Sequence, residues 1–351
     1  MAIDEGKLNA LLGKMVTELG AAFIGTNVLI GDQLGLYRTL AAGGALTSHQ
    51  LAERTGTAER YVREWLAGQA ASGYIDYDAE GETFSLSPEQ ALVFANADSP
   101  ALMTGAYYIL ESIYTDIPRI VDSFRTGSGF GWGDHCNCLF CGTERFFAPG
   151  YRANVVASWL PAIDGAVDKL RVGGKVADVG CGHGVSTIVM AQAFPNSQFF
   201  GFDYHGGSIE KARELAKAAG IPNVTFEVAT AKAYPGLNYD LVTFFDCLHD
   251  MGDPVGAAAH VRETLNANGA WMIVEPQAQD TLAGNLNPIS RLYYAASTTV
   301  CVPTSLSQEV ALGLGAQAGE ARLRQVVTKG GFTRFRRAIE TPFNMVLEAR
   351  P

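Results

Sequence analysis

Residues whose types and spacing could do chemistry fall in three places. The first is Val176-Ala177-Asp178-Val179-Gly180-Cys181-Gly182-His183-Gly184, where three alternate glycines follow a buried-strand run and precede a helical one. Glycines permit tight turns and let main-chain N–H groups approach a ligand without a side chain intervening. In open α/β sheets the crevice at the carboxyl end of the first strand is where nucleotides bind. Asp203, nineteen residues after Gly184, ends the next strand, where a carboxylate accepts hydrogen bonds from ribose hydroxyls. The spacing is GxGxG, not the GxGxxG of dinucleotide sites, which disfavours a nicotinamide dehydrogenase. Asp178 stands two residues before the first glycine, where a carboxylate suits an ammonium-bearing ligand better than a pyrophosphate.

The second place is Asp134-His135-Cys136-Asn137-Cys138-Leu139-Phe140-Cys141, which packs half of the six cysteines into six residues. Thiolates bind soft metals, so Cys136, Cys138 and Cys141 form a candidate site for zinc or a metalloid, with His135 or Asp134 to complete it. The bland alternative is a loop of reduced, inert thiols. The third is the acidic and aromatic segment Phe244-Phe245-Asp246-Cys247-Leu248-His249-Asp250-Met251-Gly252-Asp253-Pro254.

These segments need elements to position them. From Gly173 onward, strand-like runs (Lys175–Val179, Gln198–Asp203, Val224–Val228, Leu241–Phe245, Ala270–Val274) alternate with helical ones, which predicts a mainly parallel sheet covered on both faces. Phe332–Ile339 and Phe343–Ala349 flank Thr341-Pro342 and predict a closing antiparallel hairpin. Further upstream, Thr47 or Ser48 caps a short helix to Thr55, and Gly56-Thr57 turns the chain. A helix over Ala58–Ser72 follows, then two short strands separated by Glu80-Gly81. This order resembles a winged helix-turn-helix. The first residues place Leu8, Leu11, Leu12, Met15, Leu19, Ala22 and Phe23 on one helical stripe. That stripe faces either the protein's own core or a second copy of the chain. A second helix is expected over Asn27–Leu40, and an irregular stretch over Thr126–Gly142. The resulting division is a winged-helix or dimerisation domain over 1–95, a helical connector over 96–165 that covers substrate, and an α/β domain over 166–351.

Taken together, DVGCGHG, GFD at 201–203, the segment at 244–254 and Ile273-Val274-Glu275-Pro276 resemble a class I S-adenosylmethionine-dependent methyltransferase. The winged-helix segment resembles the dimerisation domain of small-molecule O-methyltransferases, in particular an actinobacterial group with this domain order. The implied fold is α/β: a Rossmann-like sheet with a C-terminal antiparallel hairpin, preceded by a mostly helical winged-helix domain. The resemblance implies that Gly180, Cys181, Gly182 and Gly184 line the methionine and ribose part of S-adenosylmethionine, and that Asp178 holds its amino group. Asp203 would take the ribose hydroxyls and Tyr204 would lie against the adenine. Thr230 and Ala231 would flank the adenine, where many relatives carry an acidic residue that this chain lacks. Phe245 and Asp246 would finish the pocket, and S-adenosylhomocysteine would be the product.

In the same resemblance His249 is the general base, with Asp250 or Asp253 orienting its ring. Methyl transfer from a sulfonium is an in-line displacement, so positioning does most of the work. A hydroxyl acceptor is a poor nucleophile until its proton leaves, which a histidine can take. Glu275 is a weaker candidate for the substrate pocket. A thiol or metalloid acceptor held by the cysteines, and a winged-helix regulator that senses S-adenosylmethionine, are the competing readings.

Composition bounds these readings. The 351 residues are 48% apolar and 18% charged, globular proportions with room for two domains. A net charge of −10 repels phosphate backbones and anionic lipid. Between Leu46 and Ala95 three Arg face eight Asp or Glu, whereas DNA binding needs a cationic surplus. No basic segment with an apolar run opens the chain, and no apolar stretch reaches the length of a membrane span. The expectation is a cytoplasmic homodimer with reduced thiols and no nucleic-acid or membrane partner.

Overall fold

The computed structural model describes residues 3–351. The chain forms two compact units, Met1–Leu110 with Cys141–Pro149, and Glu111–Phe140 with Gly150–Pro351.

In the first unit, helix α1 (Glu5–Gln33) starts at Asp4, whose side chain accepts the Lys7 N–H. It runs unbroken through the expected boundary at Asn27. Gly31 lies against Trp65 and Tyr37 there, a close helix approach and not a break. The turn comes at Leu34–Gly35, and α2 (Leu36–Gly43) follows. Thr47 and Gln50 form a capping box on α3 (Ser48–Thr55). Then come α4 (Glu59–Ala71), the antiparallel wing β1 (Asp76–Asp78) and β2 (Thr83–Ser85), and α5 (Pro88–Phe94). Val28, Tyr37, Leu40, Leu51, Val62, Trp65, Leu66 and Ile75 make their shared core. On α4, Arg60 pairs with Glu64 and Arg63 with Glu59, so its cations are neutralised within the helix. The N-terminal stripe is not part of this core. Leu8, Leu11, Leu12, Met15, Leu19 and Phe23 are all exposed, Phe23 by 75%.

Helix α6 spans Thr104–Thr126 and α7 spans Asn137–Asn154. The expected irregular stretch therefore ends early, because residues from Asn137 onward are helical. The second unit continues with α8 (Ala166–Val172), β3 (Lys175–Val179), α9 (Val185–Ala193), β4 (Gln198–Asp203), α10 (Gly206–Ala218) and β5 (Val224–Val228). Next are β6 (Tyr239–Phe245), α11 (Pro254–Thr264), β7 (Leu265–Pro276), α12 (Pro288–Ala296), α13 (Val302–Leu306) and α14 (Gly319–Lys329). The terminal hairpin is β8 (Arg334–Glu340) and β9 (Asn344–Arg350).

The sheet order is β5-β4-β3-β6-β7-β9-β8. Strands β3 to β7 pair in parallel, and β9 inserts antiparallel beside β7. Two apolar layers cover it: Phe202, Phe244, Trp271, Val327 and Phe332 on one face, and Trp159, Leu170, Met190, Phe199 and Met272 on the other. Double-sided burial explains why the strands read as continuous apolar runs. The order reverses between β3 and β6, which opens a crevice at their carboxyl ends. The glycine loop, Asp203 with Tyr204, and Asp246 to Asp250 end or follow β3, β4 and β6 at that edge. A separate cleft of about 490 Å3, lined by Gln277, Asn285, Ser290 and Thr341 among others, lies beside the hairpin and includes none of them. Among the described residues no single helix is long and apolar enough to cross a membrane.

Candidate active site

The glycine loop is held from below and open above. Gly180 and Cys181 donate N–H bonds to the Phe202 carbonyl, which ties the loop to β4. The Gly182 N–H donates to Asp203 at 2.9 Å, and the other Asp203 oxygen accepts the His205 N–H at 2.8 Å. Asp203 thus fixes the loop and ends β4 at the same time. Gly184 has φ +76°, and a Cβ there would lie 2.6 Å from the Phe226 ring. At Gly182, with φ +53°, a Cβ would meet nothing within 4 Å. That open face of the backbone is where a ligand can approach the loop.

Asp178 is fully buried beneath the loop. Its carboxylate accepts bonds from the hydroxyls of Ser186 (2.7 Å), Thr187 (2.6 Å) and Thr243 (2.9 Å). Two of these donors sit in the first turn of α9 and one on β6, so Asp178 joins the helix to two strands. Tyr204 is half exposed beyond β4. Thr230 and Ala231 lie in the turn after β5, whose Ala229 N–H donates to the Asp203 carbonyl. Phe245 is buried against Tyr151 and Trp159. Asp246 has φ +50°, a left-handed conformation that costs a non-glycine residue energy and needs fixing by its surroundings. Its carboxylate accepts the Tyr151 hydroxyl and the Asn344 amide, both at 2.9 Å. Tyr151 and Asn344 carry no local motif, and only the fold brings them to Asp246.

His249 lies in a single 3-10 turn after β6 and is buried. Its Nδ1 is 2.6 Å from Glu275 at the end of β7, and the other Glu275 oxygen accepts the Leu248 N–H at 3.0 Å. The orienting carboxylate is thus Glu275, and neither of the expected aspartates. Asp253 instead caps α11 through the Gly256 N–H and pairs with Lys232. Parallel pairing of β6 with β7 is what sets Glu275 opposite the turn. Cys301, which ends a single π-turn at Ser297–Cys301, also acts on the His249 ring and raises its pKa. Burial pulls the His249 pKa down, but Glu275 and Cys301 together raise it well above its ordinary value.

Carboxyl groups crowd this edge. Burial pushes Asp178 up to about 6, and Asp246 and Asp250 up to about 7, with the Glu275 charge adding to both of the latter. Burial raises Asp203 as well, against the N–H bonds it accepts. A carboxyl whose folded pKa lies above its unfolded value stabilises the fold at low pH and loses that contribution as pH rises through the folded pKa. The ligand-free protein should therefore lose stability between about pH 4 and 7 from these groups. Calorimetric melting temperatures should fall across about pH 4 to 7 on account of these groups, and a flat profile would contradict the burial.

The cysteine cluster differs from its expectation. Cys136 and Cys138 are joined by a disulfide, and Cys141 is free and exposed. Bonded sulfurs are not thiolates and cannot serve as the expected soft-metal ligands. Among the described residues no group of three His, Cys, Asp or Glu side chains is arranged to hold a metal ion. Spacing in sequence shows that sulfurs are near one another, not which bond they make.

A sheet of this order, with a glycine loop after its first strand and an acidic residue ending the second, defines the class I methyltransferase fold. Residues 170–331 match the family Methyltransf_31, described as a methyltransferase domain, and residues 22–96 match the Rv2258c-like winged HTH domain. Human N-acetylserotonin methyltransferase, solved in complex with SAM, aligns over 100% of this chain and 99% of its own, with a TM-score of 0.70 at 17% identity. An O-methyltransferase family protein from Burkholderia thailandensis aligns over 100% of this chain and 99% of its own, with a TM-score of 0.70 at 15% identity. Identities this low establish the fold alone. Ubiquinone biosynthesis O-methyltransferase of Leptothrix cholodnii is 27% identical over 135 residues, 37% of this chain. The match spans 54% of that enzyme, and only 14% of the Synechocystis protein sll1526, which is 37% identical over 73 residues, 20% of this chain.

Proposed function

We propose that this chain transfers the methyl group of S-adenosylmethionine to a hydroxyl of a small molecule, with His249 as general base. The observation that carries the proposal is the buried His249–Glu275 pair, set one strand away from the glycine loop on the same sheet edge. The bound cofactor would supply a methyl group on a sulfonium, already activated for displacement. The Gly180–Gly184 loop with Cys181 would take its methionine and ribose part, with Asp178 bracing the loop and drawing its ammonium group. Asp203 would accept from the ribose hydroxyls. Tyr204, Thr230 and Ala231 would border the adenine, and Phe245 and Asp246 would close the pocket. His249 would take the acceptor's proton while Glu275 stabilises the imidazolium, as a carboxylate does for other catalytic histidines. Asp250, close enough to feel the His249 charge, would add negative potential beside the sulfonium.

Cofactor affinity by calorimetry, together with capture of labelled methyl on candidate phenols and alcohols, tests the proposal. Absence of S-adenosylmethionine binding would overturn it. The carboxyl cluster gives a finer check. A cation favours the charged carboxylates, so affinity for S-adenosylmethionine should rise with pH between about 5.5 and 7.5. S-adenosylhomocysteine lacks the sulfonium charge and should show a shallower rise.

The exposed α1 stripe supports a homodimer. Leu11, Leu19 and Phe23 share one stripe of α1 and are all exposed. Changing all three to Ser should halve the native mass by light scattering without loss of helical signal. An unchanged mass would remove α1 from the interface. The acidic winged helix, with its cations paired internally, supports a covering or assembly role over DNA reading.

A further inference from the structure

A second buried imidazole lies at the same edge and has no part in the mechanism above. His135 is 1% exposed at its side chain, and its Nδ1 is 2.6 Å from Asp116 on α6. Asp116 also accepts the Ser112 hydroxyl, and Arg119, one turn along, donates to the Asp134 carbonyl. The helix thereby fixes both the ring and the backbone beside it. With Nδ1 turned to the carboxylate, Nε2 is the ring's remaining hydrogen-bonding atom, and in the neutral tautomer that carries its proton on Nδ1 it is a lone-pair acceptor. That Nε2 is buried and has no hydrogen-bond partner among the described residues, an arrangement folded proteins rarely leave unexplained.

The surroundings bear on what this nitrogen would bond. Phe130 lies 4.7 Å and Trp132 6.3 Å from the His135 ring, centroid to centroid, and Phe140 packs on Trp132 at 5.5 Å. Phe140 also lies 4.8 Å from His205, just after Asp203 and Tyr204. A Cβ on Gly133 would lie 3.3 Å from the His205 ring, and one on Gly129 would collide with the backbone at Pro303–Ser307, just beyond Cys301. The strap over residues 129–135 therefore spans from the ribose-side turn to the segment beside the general base. Aromatic rings set at tilted and edge-on angles around one unpaired nitrogen suit an aromatic ligand that carries its own donor.

We propose that His135 contacts the methyl acceptor: its Nε2, held by Asp116 within the Phe130–Trp132–Phe140 aromatic cluster, accepts a hydrogen bond from a hydroxyl or N–H on an aromatic ring. This rests on the methyltransferase reading for the ligand's identity as acceptor, and on the His135 geometry alone for the bond. It makes His135 a specificity-determining residue that selects aromatic acceptors with a donor group.

The test uses the full chain, labelled with nitrogen-15 at histidine and saturated with S-adenosylhomocysteine. Phenol is the probe and anisole, which lacks the donor, its control. The His135 resonances are assigned from His135→Gln. The expected result is an Nε2 resonance that moves toward the hydrogen-bonded range with phenol and stays put with anisole. His135→Phe should lose about five- to tenfold in phenol affinity, the worth of one neutral hydrogen bond. Equal movement with both probes, or none, overturns the proposal. An Nε2 already hydrogen-bonded and insensitive to phenol marks a resident water and also overturns it. S-adenosylhomocysteine binding is read separately by calorimetry. Its failure would remove the methyltransferase reading and leave the phenol result interpretable.

Discussion

His249→Ala is expected to lower the rate of methyl transfer by about 10²- to 10⁴-fold, the range a positioned general base contributes. Affinity for S-adenosylhomocysteine should be little changed, since His249 lies beyond β6 and takes no part in the glycine loop. The substitution also leaves Glu275 buried without its partner, which costs stability. Breaking a buried pair in this way is typically worth about 3–5 kcal/mol, so folding should be checked by calorimetry at the assay temperature. Glu275→Gln separates the two contributions. The amide keeps an acceptor for the Leu248 N–H but removes the charge that raises the His249 pKa. Because the imidazole must lose its proton to act as base, the rate rises with pH through that ionisation. In Glu275→Gln the rising limb should move to lower pH while the plateau falls. A plateau loss with no movement of the limb would mean that Glu275 acts only on the backbone.

Gly184→Ala should be markedly more damaging to stability than Gly182→Ala in the same loop. The left-handed φ costs an alanine about 1–2 kcal/mol, and the new Cβ would press on Phe226 at 2.6 Å and on the Ala212 Cβ at 3.0 Å. Overpacking of that kind costs about 1–3 kcal/mol. The melting temperature should fall by about 2–4 °C for each kcal/mol in a domain of this size. Gly182→Ala is the contrast. It shares the left-handed φ but meets open space, so its stability loss should be smaller and its effect on cofactor affinity larger. Comparable melting temperatures for the two variants would show that the Gly182 face is not the ligand face.

Most of the sheet was legible because its strands are buried on both sides. Lys175–Val179 is bounded by Gly174 and Gly180, and the alternating edge strand Val224–Val228 follows Pro222-Asn223, so their limits coincide with the observed ones. The hairpin and the helix-turn-helix were legible through capping residues and turns, which act over three or four positions. The α1 stripe shows the limit of periodicity. It establishes that a helix has an apolar face but carries no information on what covers it.

What the sequence by itself determined is the set of elements and the glycine loop, because caps, turns and alternation are local in the chain. What only the tertiary structure decided is which polar groups meet. Glu275 reaches His249 across the β6–β7 pairing, Thr243 reaches Asp178 across β6–β3, and His135 reaches Asp116 nineteen residues back. The aspartates nearest His249 in sequence were the natural candidates to orient it, yet chain proximity does not fix side-chain direction. Strand register does, because it sets residues far apart in the chain within hydrogen-bond reach of each other.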